Sequence, residues 1–75
     1  MSFAVLGFRP GKDELVFEQN LSLVAEELKT VMGWKSEGDH VGVDFRLSVT
    51  QVLEIERLES VTFPHGLDLY LTSYE

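Results

Sequence analysis

The most regular alternation of apolar and polar residues lies at residues 41–49, with the sequence VGVDFRLSV. Its odd positions hold valine, phenylalanine or leucine, and its even positions hold small or polar residues. Successive side chains of an extended chain point to opposite faces, so this pattern predicts a strand with one face in a core and the other in water. We take this predicted strand as the centre of the fold.

Two further strands are predicted before it. Residues 3–8 (FAVLGF) form a nearly continuous apolar run, which is typical of a strand that is buried on both faces or paired centrally. Residues 9–12 (RPGK) follow as a turn, because proline presets φ at the second position and glycine accepts a positive φ at the third. Residues 14–21 (ELVFEQNL) then complete a β-hairpin, with Leu15 and Phe17 expected on the same side.

A complete helix signal follows the hairpin. Apolar residues recur at helical spacing between Leu21 and Met32, with charged residues on the other sides. We expect Ser22 to cap the first turn by accepting a hydrogen bond from a backbone N–H group. Gly33 is expected to end the helix in the left-handed conformation, and Trp34 follows in the position that often folds back onto the last turn.

The segment Val49–Glu59 is predicted as a second helix. Ser48 and Gln51 have the spacing of a capping box at its start, and apolar residues then repeat every three positions. A strand remains an alternative, since several of these residues also favour β structure. Residues 67–74 (LDLYLTSY) predict the last strand, with its three leucines facing the core and its polar residues facing outward.

The elements therefore occur in the order β-β-α-β-α-β. Three of the strands have one apolar face, and both helices have an apolar stripe that must be covered. A four-stranded, largely antiparallel sheet with two helices on one face satisfies these requirements. We predict an α+β fold that forms one small domain over residues 1–75.

Composition and charge narrow the classes of function. The 75 residues include no cysteine, so neither a disulfide framework nor a thiolate metal site is available. Thirteen acidic residues against six basic ones give a net charge of −7. Nucleic acids and anionic membrane surfaces require clustered lysine and arginine, and the six bases are scattered. An acidic surface suits a basic protein partner, and the alternative is that it only keeps the protein in solution.

The outward side of the sheet is the first candidate binding surface. If the third and fourth strands share a sheet, one exposed surface contains Asp44, Arg46, Asp68, Tyr70 and Tyr74. Tyrosines supply rigid contact area, and carboxylates beside them suit arginine and lysine side chains of a partner. The alternative is that these residues only stabilise the strands through cross-strand pairs.

The loop after the first helix is the second candidate. Glu37, Asp39 and Asp44 can form an acidic patch beside Trp34. The alternative, which we favour, is that Trp34 covers the end of the helix and belongs to the core.

Metal binding, cofactors and catalysis are not expected. His40 and His65 lie far apart in the sequence and match no metal-binding spacing. The sequence contains no nucleophile elbow, no glycine-rich phosphate loop and no recognisable pair of catalytic carboxylates. We also recognise no secretory leader and no apolar run long enough to span a membrane, and therefore expect a cytoplasmic protein.

Several segments together resemble a known kind of protein. They are the apolar first strand, the run ELVFEQNLS, the helix end at Met32-Gly33, the spaced residues of Phe45-Arg46-Leu47-Ser48 with Gln51, Ile55 and Leu58, and the last strand Asp68–Tyr74. In these features the chain resembles small bacterial immunity proteins of the bacteriocin and polymorphic-toxin kind. The resemblance implies a small, acidic, cytoplasmic inhibitor that neutralises a basic toxin domain, often a nuclease. It transfers no contact residue, because the shared positions are core positions.

Three hypotheses follow from the sequence. The first is an immunity-type inhibitor that binds a toxin through Asp44, Asp68, Tyr70 and Tyr74, with Glu37 and Asp39 as further contacts. The second is a structural or regulatory homo-oligomer, such as a homodimer, that buries an edge strand or the tyrosine face on itself. The third is a small enzyme or ligand carrier, which requires a concave polar pocket.

Overall fold

The computed structural model describes residues 2–35 and 43–74 of the chain. Four strands and two helices alternate in the predicted order β-β-α-β-α-β, which confirms the α+β fold class. The elements are β1 (Ser2–Phe8), β2 (Leu15–Leu21), α1 (Ala25–Met32), β3 (Phe45–Arg46), α2 (Val49–Glu59) and β4 (Asp68–Tyr74).

The four strands form one sheet in the order β2-β1-β4-β3, and each neighbouring pair is antiparallel. The central pair is β1 and β4, which are hydrogen-bonded along their full seven-residue lengths. The central pairing predicted for residues 3–8 is therefore confirmed. The expectation that residues 41–49 form the centre of the fold is wrong, because β3 is a two-residue strand at the sheet edge.

The short length of β3 has a local cause. Phe45 pairs with Leu71, and the backbone N–H of Leu47 donates to the carbonyl oxygen of Leu69 at 2.9 Å. The next residue, Ser48, already caps α2, so the chain turns out of the sheet there. On the other side, Val43 lies outside the ladder and is 45% exposed. Residues 41 and 42 of the predicted strand lie outside the described residues.

Both helices pack on the same face of the sheet, as predicted. Leu28 of α1 and Ile55 of α2 are fully buried and belong to one hydrophobic cluster. The sheet contributes Phe3, Val5 and Leu71 to that cluster, which are at most 1% exposed. The alternating residues of β1 and β4 therefore divide the sheet into a helix-covered face and a face that no helix within residues 2–35 and 43–74 covers.

The start of α1 differs from the prediction. Val24, and not Ser22, is the residue before the helix, and its backbone N–H donates to the Glu27 carboxylate at 3.1 Å. Ser22 instead donates from its backbone N–H and its hydroxyl to the carboxylate of Glu59 at the end of α2, at 2.9 and 3.1 Å. Ser22 thus ties β2 to the second helix, and Glu27 satisfies the backbone that Ser22 was expected to cap.

The end of α1 is as predicted. Gly33 has a φ of 72° and ends the helix with a hydrogen bond from its N–H to the carbonyl oxygen of Lys29. Trp34 is only 8% exposed, and its ring centroid lies 6.1 Å from that of Phe3 and 5.4 Å from that of Phe45. Trp34 is therefore part of the core, which confirms the interpretation favoured for this residue.

The predicted second helix is confirmed with its cap, since α2 covers Val49–Glu59. The Ser48 hydroxyl accepts from the backbone N–H of Gln51 at 3.2 Å, and the Gln51 side chain accepts from the backbone N–H of Ser48 at 2.9 Å. These two reciprocal bonds satisfy backbone donors that the first turn leaves without partners. The same two residues also explain why the helix, and not the alternative strand, forms here.

Loss of this cap is expected to weaken the fold. Replacing Ser48 with alanine should lower the free energy of unfolding by about 1 kcal/mol, because a backbone N–H of the first turn loses its acceptor. Ser48→Asp retains an acceptor and is expected to stay close to the wild type. Urea unfolding followed by circular dichroism measures both variants. Equal losses of stability in the two would contradict a capping role.

The hairpin between β1 and β2 contains an irregularity that the sequence pattern did not predict. Gly7 pairs with Phe17, but Phe8 pairs with Leu15, so one residue of β2 is skipped. Leu15, expected on the side of Phe17, is consequently 47% exposed. Phe17 packs against the core, with its ring centroid 6.0 Å from that of Phe63.

Gly7 has close neighbours on the core side of the sheet. A Cβ atom at this position would lie 2.9 Å from Cδ1 of Leu67 and 3.0 Å from Cβ of Phe17. Replacing Gly7 with valine should therefore lower the free energy of unfolding by about 1–3 kcal/mol through overpacking. Thermal unfolding measures this loss. An unchanged midpoint would contradict the close packing at Gly7.

Candidate protein-binding site

The sheet face opposite the helices is the candidate site, and we call it the open face. Leu69 and Leu71 of β4 point into the core, so the residues that alternate with them point away from the helices. The strand pairings place their neighbours on β1, β2 and β3 on the same face. The open face comprises Ser2, Ala4, Leu6, Phe8, Leu15, Glu18, Asn20, Arg46, Asp68, Tyr70, Thr72 and Tyr74, together with Asp44 beside β3.

The structure brings four of the six predicted contact residues together on this face. Asp68, Tyr70 and Tyr74 lie along β4. Asp44 is linked to the same strand, because one oxygen of its carboxylate accepts a hydrogen bond from the Thr72 hydroxyl at 2.7 Å. The other two predicted residues, at positions 37 and 39, lie outside the described residues.

The side chain of Tyr74 reaches across β1 on the open face. Its hydroxyl donates to the side-chain oxygen of Asn20 at 3.0 Å. Asn20 is on β2 and Tyr74 on β4, with β1 between them, so the tyrosine side chain crosses over β1. Ala4, which pairs with Asn20 on one side and Thr72 on the other, has no exposed area. Tyr74 is therefore held in one orientation and covers this end of the face.

The carboxylates of Asp44 and Asp68 on the open face each have a defined partner. Nη2 of Arg46 lies 2.8 Å from Oδ1 of Asp68, and the two side chains are 62% and 24% exposed. Asp44 is fixed by Thr72 as described above. In both aspartates the named bond engages one carboxylate oxygen, so each carboxylate keeps further acceptor capacity for a partner.

A shallow depression of about 170 Å³ lies at the end of the open face near the β1–β2 hairpin. The rings of Phe8 and Tyr70 meet edge to face at its wall, with centroids 5.6 Å apart. The whole lining consists of Phe8, Lys12, Asp13, Asp44, Asp68 and Tyr70. Aromatic walls beside three carboxylates and one lysine provide an environment that favours the charged end of an arginine or lysine side chain.

Comparison with known protein families, curated proteins and solved structures finds no match. The resemblance to immunity proteins therefore stays a prediction from spaced residues.

The arginines of the chain form ion pairs within the fold. All three arginines of the chain are paired with a carboxylate: Arg46 with Asp68, Arg9 with Glu14, and Arg57 with Glu54. The last pair lies on the exposed side of α2, where the hydrogen bond from Arg57 lowers the pKa of Glu54. Arg46 therefore partly neutralises Asp68, and the long-range field that a partner meets follows from the net charge of −7.

Three residues of the depression, Phe8, Lys12 and Asp13, were not predicted from the sequence. Asp13 belongs to the hairpin turn, and Phe8 closes a strand that reads as wholly buried. Their proximity to Asp68 follows from the pairing of Phe8 with Asp68 in the sheet. The sequence predicts the β1–β2 hairpin but does not show that β4 pairs with the other side of β1. Asp13 could therefore not be placed near Asp68 from the sequence.

Within residues 2–35 and 43–74, no three His, Asp or Glu side chains are arranged to hold a metal ion. His65 is exposed near the start of β4, and residue 40 lies outside these ranges. No helix in the described part of the chain has the length and apolar character needed to cross a bilayer.

Proposed function

We propose that the protein is a non-catalytic binding module whose open face docks onto a basic protein. The observation that carries this proposal is the sheet face that no described helix covers, on which Tyr70, Tyr74 and the aspartates are held by contacts within the fold. Side chains that are already ordered lose little conformational entropy on binding. Tyrosines among them are the residue type that most often provides binding energy.

The charge of the chain supports a basic partner. With a net charge of −7, the protein attracts positively charged surfaces at long range and repels acidic ones. On contact, Asp44 and Asp68 are positioned to accept hydrogen bonds from arginine or lysine side chains. The same field disfavours nucleic acids, whose phosphates are negatively charged.

The resemblance of the sequence to bacterial immunity proteins suggests a class of basic partner. We propose an immunity-type inhibitor that acts in the bacterial cytoplasm on a toxin domain, such as a nuclease. A nuclease binds phosphate through arginine and lysine, and aspartates on the open face would oppose those groups. In this mechanism the inhibitor covers the toxin and performs no chemistry of its own.

Co-expression with a neighbouring toxin gene tests the proposal. The protein is expected to co-purify with the toxin domain as a one-to-one complex at moderate salt and to suppress its toxicity. Failure to form a complex with any basic effector domain encoded beside its gene would contradict the inhibitor function. Suppression of toxicity without a complex would contradict the direct binding mechanism.

Asp44 offers a test of local electrostatics. Asp44→Asn is expected to lower the association rate with the partner about two- to fivefold at low salt, because one carboxylate is lost at the contact surface. Glu26→Gln removes the same charge from α1, on the other face of the sheet, and should have a smaller effect. Stopped-flow binding at increasing salt measures both rates. Equal effects of the two substitutions would show that only net charge matters.

Self-association is the second candidate function. It is favoured by the position of β2, a seven-residue strand at the edge of the sheet that pairs only with β1 among the described strands. Such an edge can pair with the same strand of another copy. Light scattering over a range of concentrations tests this function, and a strict monomer at every concentration would exclude it.

A further inference from the structure

An apolar groove lies beside the open face, around the edge of the sheet that ends in β3. It has a volume of about 300 Å³ and is formed by α2 and the segment that leads into β4. Val49 and Leu53, one helical turn apart, are 78% and 60% exposed on its helical side. We call it the α2 groove, and its apolar lining includes Val49, Val52, Leu53, Phe63, Pro64 and Leu67.

The linings of the α2 groove and of the depression on the open face have one residue in common. Asp68 lines both of them, and Arg46, its ion-pair partner, also lines the groove. The Arg46–Asp68 pair therefore forms a ridge between the two concave surfaces. A partner segment that contacts Asp68 from the open face therefore contacts a residue of the lining that also contains Leu53.

The charges around the groove indicate which occupant fits. Glu56 contributes a carboxylate to its lining, and one oxygen of that group accepts the backbone N–H of Phe63 at 2.7 Å. Asp68 adds a second carboxylate at the ridge, where it is paired with Arg46, and His65 is the remaining titratable residue of the lining. A second copy of this chain would bring its own net charge of −7 against these acids, whereas lysine or arginine beside an apolar residue complements them.

We infer that the α2 groove is a second docking subsite for the same basic partner, filled by an apolar side chain that lies next to lysine or arginine. This inference rests on the proposed function, because it extends the open face around the sheet edge. A volume of about 300 Å³ is at the lower end for ligand pockets and fits one or two side chains, not a helix or a folded domain.

Basic peptides test the inference on the intact protein. The parent probe is a decapeptide of alternating lysine and serine, and the other probes carry one leucine in place of a serine at each position in turn. Binding is followed at low salt through the backbone amide signals of the isotopically labelled protein. Signals of Asp44 and Tyr70 report the open face, and signals of Leu53 and Gly66 report the groove.

We expect the parent peptide to shift the open-face signals only. At least one leucine peptide should bind about tenfold more tightly and also shift the groove signals, because burying an apolar side chain adds to the affinity. Leu53→Gln should remove this gain. Val24→Gln is the matched control, since Val24 has a similar exposure of 56% and lies at the start of α1, and it should retain the gain.

The remaining outcomes separate the two proposals. If the parent peptide binds the open face but no leucine peptide gains affinity, or if the gain persists in Leu53→Gln, the groove inference is overturned and the basic-partner proposal stands. If no peptide shifts the open-face signals, the proposed function fails, and a groove that binds leucine alone is no longer a subsite of the same partner. Concentration-dependent shifts of the Leu53 signal without peptide would show that a second copy fills the groove and would overturn the inference.

Discussion

Replacing Ile55 with alanine is expected to leave a large part of the protein unfolded at room temperature. The side chain of Ile55 has no exposed area and belongs to the hydrophobic cluster between the helices and the sheet. Truncating such a side chain costs about 2–5 kcal/mol, from lost burial and from the cavity that remains. A core in a domain below about 80 residues supplies only ~3–5 kcal/mol of net stability, so the two quantities are of similar size.

Leu53→Ala is the matched control on the same helix. Leu53 is 60% exposed, so its truncation leaves no cavity and should change the free energy of unfolding by less than about 0.5 kcal/mol. Urea unfolding of both variants, followed by far-ultraviolet circular dichroism, compares the two positions. A stability of Ile55→Ala within about 1 kcal/mol of the wild type would contradict the packing described for α2.

The elements with local signals were predicted best. The bounds of α2 follow from a capping box and an apolar repeat that lie within a few residues of one another, and both appear in the structure. The same holds for the end of α1 at Gly33 and for the hairpin turn, where Gly11 has a φ of 75°. Such signals are read correctly because their physical cause lies within one turn of the chain.

Long-range contacts explain the errors. The alternation at residues 41–49 is regular, but the cap at Ser48 ends the extended conformation, and the β1–β4 pairing leaves only an edge position for β3. Ser22 has the chemistry of a helix cap, yet its partner is Glu59, thirty-seven positions away. No spacing within either segment shows that competing partner.

The candidate site was predictable in part. Alternation along β4 was sufficient to place Asp68, Tyr70 and Tyr74 on one surface, and the link from Asp44 to Thr72 adds the fourth residue. The depression could not be predicted without the strand order. Asp13 lines it because the β1–β2 hairpin lies next to β4 in the sheet. The groove beside α2 likewise depends on how the segment before β4 packs, which periodicity does not describe.

Replacing Tyr70 with alanine is expected to produce the largest loss of partner affinity on the open face. Its ring forms the wall of the depression with Phe8, and Asp44 and Asp68 line the same depression. Side chains of this kind near the centre of an interface typically contribute about 2 kcal/mol or more, which corresponds to about a thirtyfold rise in Kd. Titration calorimetry with the purified toxin domain measures this change.

Tyr74→Ala is the matched control for Tyr70, because it removes the same side chain from the periphery of the same face. Tyr74 is 42% exposed and bonds to Asn20 at the opposite end from the depression, so its loss should raise Kd less than about fivefold. Tyr70→Phe keeps the ring and should retain most of the affinity if the contact is mainly apolar. Circular dichroism confirms that each variant is folded before binding is compared. A larger loss for Tyr74 than for Tyr70 would move the centre of the interface away from the depression, and an unchanged Kd for both would exclude the open face as the contact surface.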